Sequence, residues 1–250
     1  MEMFGSIVAV MDMGRTVTAP TRADKRHFTV SAHTASVRPL MRFQTLYEGR
    51  WIFAAVAVLG ILGLALGWNW LVFVAFLAFL FCLNFFRDPD RIVPPGDDVV
   101  IAAADGVVAD IVEIEESEVL KTRCKRVGIF LNVFDVHVNK APIGGRITYR
   151  QHHPGLFLDA RNPECSIKNE ALTWAIEGRY ATLVIRQITG AIARRIVPWS
   201  EVGDDVEKGF RFGMIRFGSR TEIYLPLTST IEVKIGDKVR GAETVIAKLI

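Results

Sequence analysis

Between Trp51 and Phe86 the chain carries no charged residue. The run is too long for one ordinary membrane helix and short for two, and Gly67-Trp68-Asn69-Trp70 divides it near its middle. Each half is then about 17 residues, or about 26 Å of helix at 1.5 Å per residue, just under the ~30 Å of bilayer hydrocarbon. The pattern predicts a tight helical hairpin, spanning thinly or re-entrant, with aromatic residues at its turn. A secretory signal fits poorly, because its apolar core is shorter and ends at a small-residue cleavage site. Arg38, Arg42 and Arg50 precede the run. The positive-inside bias makes that end cytoplasmic, and a hairpin returns the rest of the chain to the same side.

The flanks follow different patterns. Residues 1–50 are polar with little periodicity and read as a disordered extension, with a start typical of a membrane protein at Met41. From Val99 onward, short alternating or apolar runs are broken by Gly, Pro and Asp, as in Val107–Ile114, Val127–Val133, Ala181–Ile188 and Glu222–Leu225. Such β-branched runs predict strands. The expected organisation is an extension (1–50), a membrane hairpin (51–86) and a mainly β domain (87–250). Within that domain Val202-Gly203-Asp204-Asp205-Val206 and Ile235-Gly236-Asp237-Lys238-Val239 repeat one pattern, each followed by a further Gly and a strand. Paired hammerhead-like units of this kind build a β-sandwich or barrel-sandwich hybrid, and the Gly-Asp step supplies the tight turn.

Composition narrows the function classes. A formal charge of +3 without a basic stripe argues against nucleic acid. Cys82, Cys124 and Cys165 form no CxxC pair, and so sparse and odd a set argues against a disulfide framework or a zinc site. His152-His153-Pro154 lacks further ligands at matching spacing, so no metal is assigned and the two histidines remain candidates for a substrate loop.

Chemistry-bearing motifs occur in a definite order: Phe85-Phe86-Arg87-Asp88-Pro89-Asp90-Arg91 after the apolar run, Ala104-Asp105-Gly106, and Phe134-Asp135-Val136-His137-Val138-Asn139-Lys140-Ala141-Pro142. Asn169-Glu170 and, between the two repeats, Phe217-Gly218-Ser219-Arg220 follow. Taken alone, a Gly-Ser step is ordinary turn chemistry. Taken together, over residues 41 to 250, the motifs resemble the short prokaryotic branch of the phosphatidylserine decarboxylases.

The resemblance implies a proenzyme that cuts itself between Gly218 and Ser219. Residues 1–218 and 219–250 then stay together as two fragments, with room for a homo-oligomer. Ser219 becomes a pyruvoyl group, which decarboxylates phosphatidylserine through a Schiff base at the cytoplasmic face of the cell membrane. His137 and Asp105 are the implied acid–base residues. Where longer relatives carry a second histidine this chain has Lys140, and Arg220 stands where many have threonine. Lys140, Arg220, His152 and His153 are therefore candidates for substrate contact. Two other classes remain open. One is a pyruvoyl-dependent decarboxylase of a soluble amino acid, against which the apolar hairpin argues. The other is a membrane-tethered carrier or adaptor, which needs an exposed lysine where this chain has Gly218-Ser219.

Overall fold

The computed structural model describes residues 42–191, 195–216 and 219–250, all within one compact unit. The expected extension up to Met41, with Arg38, and Gly218 of the Gly-Ser step lie outside the described residues.

The hairpin is present, with an earlier start than the charge pattern suggests. Helix α1 spans Phe43–Ala65 and α2 spans Asn69–Phe85, joined through Gly67 at φ +69°. Residues 43–50, assigned above to the extension, form the first two turns of α1. This segment is tied down locally. The Arg50 guanidinium lies 3.8 Å from the Tyr47 ring centroid, and the Glu48 carbonyl accepts Arg216 Nη1 at 2.7 Å. At 1.5 Å per residue α1 is about 35 Å long and α2 about 26 Å. Among the described residues, only α1 is long and apolar enough to cross a membrane. Both helices expose large side chains on several faces, including Ile61, Leu64, Phe73 and Phe76. That surface suits lipid better than water. Gly63 lets the helices approach, since a Cβ there would lie 3.0 Å from Val72.

The remainder is mainly β. In chain order the strands are β1 (Val99–Ile101), β2 (Gly106–Glu116), β3 (Thr122–Leu131), β4 (Val138–Lys140), β5 (Gly145–His153), β6 (Ala171–Gly178) and β7 (Thr182–Thr189). Then follow β8 (Arg195–Pro198), β9 (Asp205–Val206), β10 (Arg211–Arg216), β11 (Ser219–Pro226), β12 (Thr230–Ile231), β13 (Lys238–Val239) and β14 (Val245–Lys248). A short helix, α3 (Cys165–Lys168), precedes β6.

The sequence repeat marks a duplication of the whole domain. One curled eight-stranded sheet runs β13-β2-β3-β11-β7-β6-β5-β9, and two small sheets run β1-β14-β12 and β4-β10-β8. The large sheet has the same design read from either end: a repeat strand, a long hairpin, then a central strand. Bulges interrupt β2 between Val108 and Asp110, and β5 between Ile147 and Tyr149, at matching points. Gly236 N donates to Val108 O and Gly203 N to Ile147 O, both at 2.8 Å. The carboxylates of Asp237 and Asp204 each accept a backbone N–H three residues upstream at 2.8 Å. Alternation along the strands sends Val127, Ile129, Leu183, Ile185, Ile223 and Leu225 into one core between the sheets. A second apolar cluster docks the hairpin base onto β8 and β10, through Phe85, Phe86, Val197 and Met214.

Candidate active site

Ser219 is the first residue of β11, one of the two central strands, with Leu131 and Thr189 as its Cα partners. Period-two alternation puts its side chain on the face of Thr221, Ile223 and Leu225, toward the core. Ser219 is wholly buried, and its Oγ has no hydrogen-bond partner among the described residues. A buried hydroxyl left unpaired costs about 1–3 kcal/mol, a cost Ser219 shares with Thr173 and Ser229, and of the three only Ser219 belongs to a Gly-Ser step.

His137 comes to the same place from the other half of the domain. Its carbonyl accepts Ile215 N at 3.2 Å, which sets it beside the end of β10, just before the connection to Ser219. Two residues on, Asn139 Nδ2 donates to Thr221 Oγ1 at 3.2 Å. Stepping back two residues on both strands brings His137 toward Ser219. The imidazole is fully buried, 4.3 Å between centroids from the ring of Phe85 at the foot of α2. Its Nδ1 lies 2.9 Å from the carbonyl of Asp135. A proton on Nδ1 satisfies that carbonyl and makes Nε2 the acceptor nitrogen. Burial pushes the His137 pKa down to about 4, assisted by Arg87 and opposed by the Asp135 hydrogen bond. The ring is therefore neutral at pH 7.

Asp105 sits at the same end of the sheet, on the turn that opens β2. A Cβ on the next residue, Gly106, would run into Phe130 O, so that turn needs glycine. The oxygens of Asp105 are taken by Arg91 Nη2 at 2.9 Å and Gly241 N at 2.7 Å. Burial raises its pKa, against Arg91 and the Gly241 hydrogen bond. A direct Asp105–His137 bond is not part of this arrangement; the carbonyl of Asp135 orients the ring instead.

The remaining candidates are placed differently. Lys140 is buried and bound to Asp88 at 2.7 Å, and burial lowers its pKa to about 8 despite that pairing. Asp88 also binds Arg211, while Asp90 binds Arg42 and Arg211. The Arg-Asp-Pro-Asp-Arg motif is thus the clasp between hairpin and β domain, and Lys140 belongs to it. Arg220 points to the face opposite Ser219, where it is buried against Glu222 at 2.7 Å and against Asp110. Those partners account for Arg220 without a substrate phosphate. His152 pairs with Glu170 at 3.2 Å. His153 Nε2 lies 2.9 Å from Glu118 Oε1 but out of line for a hydrogen bond. Both histidines are at the end of β5, separated from β11 by β6 and β7. Asn169 braces the edge of the site, donating to Thr189 O at 2.8 Å and Leu158 O at 2.9 Å.

A family model described as phosphatidylserine decarboxylase matches residues 78–247. The chain belongs to that family. The phosphatidylserine decarboxylase proenzyme of Carboxydothermus hydrogenoformans is 43% identical over 213 residues, which is 84% of this chain and 98% of that one. That of Symbiobacterium thermophilum is 42% identical over 212 residues, with the same coverage. The matched region takes in the foot of α2, the clasp, Asp105, His137 and Ser219. Sequence reasoning left unassigned Phe85, Arg87, Asp135, Asn139 and Gln187, all of which lie around this site. The visible signal for Gln187 was a polar residue on the core face of an otherwise apolar strand.

Proposed function

We propose that this chain decarboxylates phosphatidylserine to phosphatidylethanolamine after cutting itself between Gly218 and Ser219. The observation that carries the reading is the buried Oγ of Ser219, unpaired among the described residues at the head of a central strand, with the segment of His137 hydrogen-bonded to the end of β10 just before it.

In self-processing, Ser219 Oγ attacks the Gly218 carbonyl. The amide C–N bond breaks as the ester C–O bond forms, and the serine nitrogen takes the proton. Removal of the Cα proton of residue 219 then expels the Gly218 carboxylate and leaves dehydroalanine, whose hydrolysis releases ammonia and leaves a pyruvoyl cap. The neutral imidazole of His137 accepts the hydroxyl proton through Nε2. Asp105 holds the turn opening β2 at the same end of the sheet, through Gly241 and Arg91. The fragments 1–218 and 219–250 stay associated because β11 is hydrogen-bonded to β3 on one side and β7 on the other. Ser219 is the right precursor for a pyruvoyl group, which supplies an electron sink for loss of carbon dioxide.

Lipid access follows from position. Phe85 joins the foot of α2 directly to His137, so the site lies beside the base of the apolar hairpin, where headgroups lie when the hairpin is in a bilayer. Arg87 follows Phe85 and Phe86 at that level. The positive-inside bias of the arginines around α1 favours the cytoplasmic side for this base. A soluble amino acid needs no such placement.

The test is intact mass and carbon dioxide release. Purified chain should resolve into two fragments, the smaller lacking a free amino terminus, with release from carboxyl-labelled phosphatidylserine. Ser219→Ala should give one uncut, inactive chain. Two fragments from that variant would reject the reading.

A further inference from the structure

A chain of four buried side chains crosses the core beside the site. Trp174 Nε1 donates to Gln187 Oε1 at 2.8 Å, Gln187 Nε2 to Asn139 Oδ1 at 2.6 Å, and Asn139 Nδ2 to Thr221 Oγ1 at 3.2 Å. All four residues are buried to within 1%.

The duplication shows that the fold does not need them. Trp174 pairs with Ile185 as Val127 pairs with Ile223, and Gln187 with Leu172 as Leu225 pairs with Lys125. Thr221 pairs with Ile129 as Leu183 pairs with Ile176, and Asn139 with Gly213 as Val100 pairs with Ala247. The counterparts of Trp174, Gln187, Thr221 and Asn139 are thus Val127, Leu225, Leu183 and Val100, all ordinary core residues. Three members of the relay lie in the half that carries His137 and the fourth, Thr221, lies in the half that carries Ser219, and at every one of the four matching positions the same backbone carries an aliphatic side chain. Burying amides and a hydroxyl is unfavourable unless every group is paired, and a paired network fixes geometry where an aliphatic core does not.

What this relay fixes is specific. Asn139 is two residues after His137, and Thr221 two residues after Ser219. Gln187 is the Cα partner of Thr221 and reaches across to Asn139. The relay therefore ties the segment carrying the imidazole to the strand carrying the hydroxyl. We propose that Gln187 is a positioning residue for self-processing, holding His137 against Ser219 through Asn139 and Thr221. This rests on the processing reading above.

The experiment follows fragment formation over time in purified full-length precursor in detergent, with thermal melting of each protein. Gln187→Leu and Asn139→Val import the residues used by the other half, so both should fold. Each should cut at least ~10-fold more slowly, since misplacement by about 1 Å can cost 10²-fold. The double variant should be no slower than the slower single variant, because the two act as one unit. Leu225→Ala, a cavity at the counterpart of Gln187, should lower melting without slowing the cut. Wild-type cutting by Gln187→Leu overturns the proposal, as does slowing that merely tracks lost melting temperature on the line set by Leu225→Ala. Should the first two variants fail to fold, Thr221→Val decides, and its cutting at the wild-type rate also overturns the proposal. These outcomes leave the processing reading intact if Ser219→Ala stays uncut; cutting of Ser219→Ala rejects that reading itself.

Discussion

The two halves of the β domain share a backbone and differ in what they carry on it. Gly106 and Gly145 occupy matching turns, and a Cβ on either would run into the backbone of the neighbouring strand, at Phe130 O and Glu177 O. That requirement is architectural and appears twice. The chemistry appears once. Asp105 has Gly144 as its counterpart, Ser219 has Ala181, Lys140 has Ile101, and His137 has Asp98, whose carbonyl accepts Leu249 N as that of His137 accepts Ile215 N. Anchoring is one-sided as well. Met214 and Val197 of one small sheet are covered by Phe85 and Phe86, while their counterparts Lys248 and Thr230 on the other are exposed. Duplication supplied a stable sandwich, and the departures from symmetry gather where the halves meet the hairpin. One half contributes Ser219 and Asp105, the other His137 and the docking face.

Importing residues from the inert positions breaks this asymmetry directly. Ser219→Ala copies Ala181, and its expected effect is total: no cut and no carbon dioxide release, with unchanged melting. His137→Ala should come next. Loss of a positioned acid–base group costs typically 10²–10⁴-fold, and initial cleavage rates on gels should fall within that range. Cleavage within a factor of about three of wild type would remove His137 from the mechanism. Asp105→Gly, copying Gly144, should be milder, at about ten-fold slower cutting by analogy with other displaced supports. It removes the acceptor for Gly241 N and one partner of Arg91, which keeps Glu243 at 3.1 Å. A loss as large as that of His137→Ala would instead make Asp105 a direct proton acceptor.

The part of this comparison that could be read from sequence was the part carried by neighbouring residues. Gly-Asp recurs with its Val and later Gly, so the repeat was visible, and with it the sandwich. Gly218-Ser219, Asp105-Gly106 and the segment around His137 are contiguous motifs that a family resemblance can register. The ion pairs of Arg220 and Lys140 were not legible because their partners, Asp110 and Asp88, are remote in the chain, and a lone cation in sequence looks unpaired. Helix α1 begins before Trp51 for the same reason: the charges of Glu48 and Arg50 look like a break until Arg216 and Tyr47 are seen beside them. The relay through Gln187 needed the structure, since only strand register shows that Thr221, Gln187 and Asn139 meet.

The smallest effect expected concerns stability in acid, and it isolates the burial of His137. Folded, the imidazole has a pKa of about 4; unfolded, it has the reference value of 6.5. On acidification the unfolded chain therefore takes up the proton first. Stability from this group is complete above pH 6.5 and is lost as pH falls toward 4, at up to ~1.4 kcal/mol per pH unit for one proton. Asp105 works in the opposite sense. Its folded pKa is raised, so its contribution favours the folded state on acidification, and it flattens the lower part of the decline. The comparison is best made between pH 7 and 5, in proteins that cannot cut themselves. Ser219→Ala should lose melting temperature across that interval. Ser219→Ala with His137→Phe keeps a ring against Phe85 but has no group to protonate, and its curve should be flatter by the His137 contribution. Parallel curves for the two proteins would mean that the imidazole is hydrated or already charged in the folded chain, and would count against a neutral His137 as the acceptor of the Ser219 proton.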